Sequence, residues 1–321
     1  MKHYAKILFA AALTSAAIFA APAFAEFKGL EFIAPGGPGS GQDQAARAMA
    51  DALTKDKIAS NVQVLNIPGG GGMIAVSQFV TSKQGNGHAV LTQGFGHVAF
   101  PIVNKSPISL DDVKPLALLA GEYEIMVVPA DSDIKSIEDL IAKFKADPGK
   151  VIWAGGGAGS TENIFYGLIA KHVGMDPKKV NFLPHSNSGE VIISVLGKQA
   201  HVGGGGYQDF ASQVEAGKLR VIAVASPERL PGIDAPTLKE KGIDVELANW
   251  RGVSVHKSLT DKQTAEVAAV FDQMVKSPRW QQIMKERGWL DLYKPADEYA
   301  VFLKGEQDKV RGILVELGIA Q

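Results

Sequence analysis

Two stretches of the chain share one layout. "LEFIAPGGPGSGQDQAARAMADAL" starts at Leu30 and "VIWAGGGAGSTENIFYGLIAKHVG" starts at Val151. Each is a short apolar run, then a glycine-rich turn, then an apolar-periodic segment opened by small polar residues. That is the pattern of a strand passing through a tight turn into a helix. Glycine permits positive φ and close backbone approach, so such a turn leaves several N–H groups at the positive end of a helix dipole, where an anion can sit. Neither turn contains a lysine or arginine.

The same grammar recurs. Glycine-rich turns also occur in "PGGGGM" from Pro68, "GGGGYQD" from Gly203 and, more sparsely, "TQGFGH" from Thr92. Nucleotide chemistry does not fit them. Gly197-Lys198 lacks the upstream glycine of a Walker loop and is followed by Gln199. Gly94, Gly96 and Ala99 match the spacing of a dinucleotide fingerprint, but Pro101 follows two residues later, where a receiving helix should continue. In the second turn Glu162 stands where the third small residue belongs. These turns suit a smaller anion.

Catalytic sets are also missing. Ser40 is flanked by Pro38 and Gln42 where a nucleophile elbow needs glycines, and no HExxH motif occurs. His88, His97, His172, His185, His201 and His256 show no metal-ligand spacing, so no metal and no cofactor is expected. His185 and His201 fall near strand ends on the cleft side. Asp43 and Glu162 open helices and read as first-turn acids that complement the dipole.

Short apolar runs alternate with amphipathic segments, which predicts an α/β protein with largely parallel sheets. Strands are expected at residues 30–34, 61–66, 89–93, 125–129, 151–154, 180–183 and 220–225. Helices are expected at 43–54, 74–81, 137–146, 161–173, 190–196 and 208–216. A mostly helical C-terminal third should hold helices at 261–277, 278–287 and 295–317. "EYEIMVVPADSD" from Glu122 and "NWRGVSVHKSLT" from Asn249 look like paired crossings between lobes. Lobe one would then be residues 26–124 with 250–321, and lobe two 125–249, with a cleft between them. Two successive independent domains are the alternative on pattern alone.

Residues 1–25, "MKHYAKILFAAALTSAAIFAAPAFA", place Lys2 and Lys6 before an apolar stretch that ends in Ala23-Phe24-Ala25. That is a secretory signal with an A-x-A cleavage site, and it makes Glu26 the first residue of a periplasmic protein. Removing Lys2 and Lys6 from the 33 basic residues leaves 31 against 34 acidic ones. No basic field for nucleic acid or anionic membrane results. With no cysteine in the chain, disulfides, thiol catalysis and cysteine-ligated metals are excluded. No later run is apolar for long enough to span a bilayer.

"APGGPGSGQDQAARAMADAL", "NIPGGGGMIAVSQFV", "GEVIISVLGKQAHV" and above all "EAGKLRVIAVASPERLPGIDAPTLKEKGIDVELANWRGVSVHKSL" resemble the extracytoplasmic solute receptors of tripartite tricarboxylate transporters, the TctC or Bug type. The likeness runs through the mature chain in order. It implies a two-lobed periplasmic binding protein of the Venus-flytrap kind, a monomer that hands a di- or tricarboxylate to a permease of one large and one small membrane subunit. Backbone amides, hydroxyls and waters from both lobes would hold the ligand. Carried over by position, the first jaw is Gly36, Gly37, Pro38, Gly39, Ser40 and Gly41, supported by Gly70, Gly71 and Gln93. The second is Gly157, Ser160, Thr161 and Asn163, with Ser186, Asn187, Gly204, Gly205, Tyr207 and Asp209. The chain departs from the family pattern at Gln42, where an aromatic residue is common, and at Ala75, where glycine is; both bear on which carboxylate binds. A secreted α/β hydrolase or transferase acting on a small acid is the rival reading, and a receptor for a signalling partner is a third.

Overall fold

The computed structural model describes residues 26–157 and 159–320; the expected export signal lies outside them. The chain opens with β1 (Phe27–Lys28), β2 (Glu31–Ala34), α1 (Gly41–Lys55), β3 (Ala59–Ser60), β4 (Gln63–Asn66), α2 (Met73–Ser82), β5 (Ala89–Gly94) and α3 (Gly96–Val103). A long strand, β6 (Val113–Pro129), leads into α4 (Ile137–Ala146), β7 (Ile152–Gly155), α5 (Thr161–His172), β8 (Asn181–Pro184), α6 (Ser188–Leu196), β9 (Val202–Gly206), α7 (Tyr207–Glu215) and β10 (Leu219–Val224). The chain returns through β11 (Ala248–His256) and ends in α8 (Asp261–Val275), α9 (Pro278–Arg287), β12 (Leu290–Pro295) and α10 (Ala296–Glu316).

Ten strands form one sheet in the order β4-β2-β5-β11-β6-β9-β7-β8, with β10 and β12 also paired to β6. Strand β2 lies parallel between β4 and β5, and β7 lies parallel between β8 and β9. Each half therefore has a parallel core joined by helical crossovers, as alternating apolar and amphipathic segments require. β6 joins the two cores, reaching the first through β11 and the second through β9. Residues Val113 to Tyr123 pair with β11, whereas Glu124 to Val127 pair with β9 and Ile125 to Pro129 with β10. The strand changes partners between Tyr123 and Glu124, at the first of the two crossings read from the sequence.

Local sequence explains the elements. Helix α1 buries Ala45, Ala46, Ala48, Met49, Ala52 and Leu53, a stripe at helical spacing. In α4 a reciprocal cap between Ser136 and Asp139 sets the start, and Ile137, Leu140 and Phe144 face inward. All six residues of β5 are buried because β2 and β11 flank it, so it reads as a continuous run rather than an alternating one.

The expectation of largely parallel sheets is corrected: β6 pairs antiparallel with β9, β10, β11 and β12, and β11 pairs antiparallel with β5, because the long strand β6 and the returning β11 link the two parallel cores. Other elements depart from the expected pattern as well. Helix α3 crosses Pro101, and the first half of β6 and all of β12 are additional strands. Pro115 inside β6 sits where the register with β11 shifts, a bulge that spares the ladder the missing N–H. The last helix does not stay with one half: α10 packs on α3 and also reaches α5, where Leu317 covers Gly167 and Lys171 pairs with Glu316 at 2.5 Å.

Two consequences are measurable. A Cβ on Gly252 would run into the hydroxyl and ring of fully buried Tyr299, whose oxygen accepts a 2.6 Å hydrogen bond from Gln93 Nε2. Gly252→Ala should therefore cost about 1–3 kcal/mol in denaturant unfolding, and an unchanged midpoint would contradict this packing. Glu124 is 0% exposed and neither carboxylate oxygen has a partner. Burial, then Glu162 and Glu122, holds its carboxyl well above the ordinary 4.5. The folded protein thus keeps a proton that the unfolded chain releases above that value, so this group's contribution is fully present below pH 4.5 and is lost as pH rises toward the folded pKa. Glu124→Gln should raise stability at pH 7 by on the order of 1–3 kcal/mol, and the gain should fade toward pH 4. A gain that grows on acidification would contradict it.

Candidate functional site

The two glycine turns are built alike, bond for bond. Ser40 caps α1 and Ser160 caps α5, each in extended conformation, with Oγ accepting from Asp43 N–H at 3.4 Å and from Asn163 N–H at 3.3 Å. The side chains of Asp43 and Asn163 reach back to accept from Gly39 N–H at 2.9 Å and Gly159 N–H at 3.0 Å. Ser40 N–H donates to Gly37 O, and Ser160 N–H to Gly157 O. Gly39 and Gly159 take φ of 81° and 83°, which only glycine adopts freely. Because β2 and β7 are central parallel strands, their carboxyl ends deliver α1 and α5 to one cleft with both helix N-termini facing it.

That cleft encloses about 440 Å³. Of the residues expected there, Gly36, Gly37, Ser40, Gly41, Gly70 and Gly71 line it from one half, and Gly157, Ser160, Thr161, Ser186 and Asn187 line it from the other. The remaining eight lie outside its lining. Pro38 is at the exposed tip of its turn, and Gly39 and Asn163 are tied up in the caps. Gln93 is fully buried against Tyr299. Gly204 and Gly205 are interior to β9, beneath Tyr166 and Phe210, and Tyr207 faces a separate hollow with Leu219 and Ile233. Asp209 instead joins the halves, accepting from Gln44 Nε2 at 3.0 Å and from Ser188 Oγ at 2.5 Å.

Sequence reading missed the charged and aromatic members of the lining, chiefly His97, Phe100, Glu162 and Arg251. His185 lines the cleft, whereas His201 does not; its Nδ1 accepts from Ile152 N–H at the start of β7. Arg251 stood in plain view in the "NWRG" crossing, but only the pairing of β11 with both β5 and β6 brings it under the cleft.

Arg251 is 7% exposed. Its Nη2 pairs with Glu122 at 2.5 Å, Nη1 donates to Trp250 O, and Nε is buried without a partner. Burial pushes the Glu122 carboxyl up and Arg251 pulls it back. His97 is 3% exposed; its Nδ1 accepts from Gly94 N–H at 3.2 Å, which places the ring proton on Nε2, also buried and unpartnered. Burial lowers its pKa to about 4, so the ring is a neutral donor at neutral pH. Asp43 is offset by Arg47 at 2.9 Å. Glu162 accepts from Gly156 N–H at 3.2 Å. The halves touch across this space: Gly159 packs against Phe100 and Val103, and Arg287 donates to Gln44, which itself donates to Asp209. The arrangement offers amides, hydroxyls, an imidazole N–H and a buried guanidinium to an anion. Among the described residues, no three His, Asp or Glu side chains converge in a metal-binding group.

Known proteins share this fold. A Cupriavidus necator protein known as the UPF0065 protein in the gbd 5' region is 28% identical over 290 residues, covering 88% of this chain and 85% of its own. Among solved structures, MatC from Rhodopseudomonas palustris with bound malate superposes with a TM-score of 0.80 at 17% identity, over 89% of this chain and 99% of that one. An R. palustris protein solved with adipate gives 0.81 at 20% identity, over 91% and 98%. The fold is thus that of the two-lobed periplasmic solute-binding proteins. The family model described as the tripartite tricarboxylate transporter family receptor, TctC, matches residues 45–319, and the chain belongs to that family.

Proposed function

We propose that this receptor captures a small carboxylate in the periplasm, between residues 26–124 with 250–321 on one side and 125–249 on the other. It would act as a monomeric binder, not an enzyme, and pass the ligand to a membrane permease of one large and one small subunit. One observation carries the reading: two serine-capped glycine turns of the same construction open onto a single cavity from opposite halves. A ligand with acidic groups at its two ends matches such a pair, and the malate and adipate carried by the two structural neighbours are both of that kind. The change of partners along β6 at Tyr123 and Glu124 supports the proposed division, since a strand shared by two lobes can flex there.

The binding residues on this reading are Gly36, Gly37, Ser40, Gly41, Gly70 and Gly71 from lobe one, and Gly157, Ser160, Thr161, Ser186 and Asn187 from lobe two. Hydrogen bonds to a charged group contribute about 1.5–3 kcal/mol each. Several of them, less the cost of immobilising the ligand, reach the roughly −8 kcal/mol of micromolar affinity.

A thermal-shift panel of mono-, di- and tricarboxylates beside neutral sugars, followed by calorimetry, tests this. Carboxylates should raise the melting temperature in proportion to ligand excess over Kd. Stabilisation by sugars alone would overturn the proposal.

A further inference from the structure

The cleft is not electrically symmetric, and the asymmetry runs along the repeat between the two turns. In the first turn the acid is Asp43, which does not line the cavity and is paired with Arg47. In the second turn the equivalent position is neutral Asn163, and the acid has moved one place back to Glu162, which does line the cavity. Its counterpart in the first turn is neutral Gln42. Glu162 has no ion-pair partner among the described residues; its one hydrogen bond there is the Gly156 N–H on Oε2. Buried Glu124 also lacks an ion pair and has neither oxygen satisfied. The two arginines that act on Glu122, Arg251 and Arg287, are already engaged, by Glu122 itself and by Gln44.

The opposite wall has the opposite need. His97 Nε2 and Arg251 Nε belong to cavity-lining side chains more than nine-tenths buried, and each is a donor without an acceptor. A buried donor left unpaired is costly, as is an acid in a partly desolvated cleft with no cation. One ligand answers both: an acceptor-bearing anionic end on the lobe-one wall and a positive end at Glu162. A ligand with a carboxylate at each turn brings its second anion near Glu162, and a positive group on the same ligand offsets that repulsion.

We propose that Glu162 makes this cleft selective for ammonium carboxylates, with a ligand carboxylate on the lobe-one wall beside His97 and Arg251 and the protonated amine paired with Glu162. This rests on the carboxylate-receptor reading and narrows its substrate class.

The test is calorimetry with matched probes that share a skeleton: succinate, malate and aspartate, then glutarate and glutamate. The amino member of each binding series should be at least about tenfold tighter than the unsubstituted acid. Glu162→Gln retains an acceptor for Gly156 N–H while removing the charge, and should bring that ratio close to one while leaving the plain dicarboxylate bound as well or better. Plain acids that bind as tightly as their amino derivatives, malate that matches aspartate, or an unchanged ratio in Glu162→Gln would each overturn this inference alone. If no member of either series binds, the carboxylate-receptor reading falls with it. The comparison in the unmodified protein stands even if the variant does not fold.

Discussion

Everything in this molecule hangs on one long strand. β6 is hydrogen-bonded to β11 and β12 over its first part and to β9 and β10 over its second, so it links the two parallel cores, the first through β11 and the second directly through β9. A strand can serve two cores only if its side chains are buried along nearly its whole length, and those of β6 are, including the acid Glu124 at the change of partners. An unpaired acid buried there works against stability at neutral pH. The position sets a buried acid close enough to Glu162 and Glu122 for their charges to push its pKa up further.

From that linking strand the rest follows. With β2 and β7 central in their cores, the turns after them must emerge at carboxyl ends, and the strand order turns those ends toward one space. The two turns repeat each other down to the serine cap, the left-handed glycine and the back-bonded side chain at the third helical position. Rigid caps matter for a binder, because amides already held in place need no further ordering when an anion arrives. On the proposed reading, affinity for anions would be built into the backbone, with side chains left to discriminate among them.

Sequence alone recovered what depends on local pattern. Helices α4 and α9 fall on the expected residues, and the glycine turns ahead of α1 and α5 were readable because small polar residues between glycine and an apolar stripe have few other uses. The family likeness of the segment from Glu215 to Leu259 supplied the class of protein. What escaped were non-local facts. The first half of β6 was hidden by Pro115 and by the polar Glu122, and α3 by Pro101, since both prolines are tolerated only through tertiary context. Arg251 and His97 were invisible as site residues because strand pairing and a helix outside the two glycine turns carry them under the cleft. Gly204 and Gly205 misled for the opposite reason: glycines that admit Tyr166 and Phe210 to β9 look in sequence like glycines that admit a ligand.

The central claim is that two turns far apart in sequence hold one ligand together. Amide hydrogen exchange, read residue by residue with and without a saturating carboxylate, tests it most directly. The account predicts that protection rises together in Gly36 to Gly41 and in Gly157 to Thr161 at a single ligand stoichiometry. Protection confined to one turn, with the other unchanged at saturation, would contradict it.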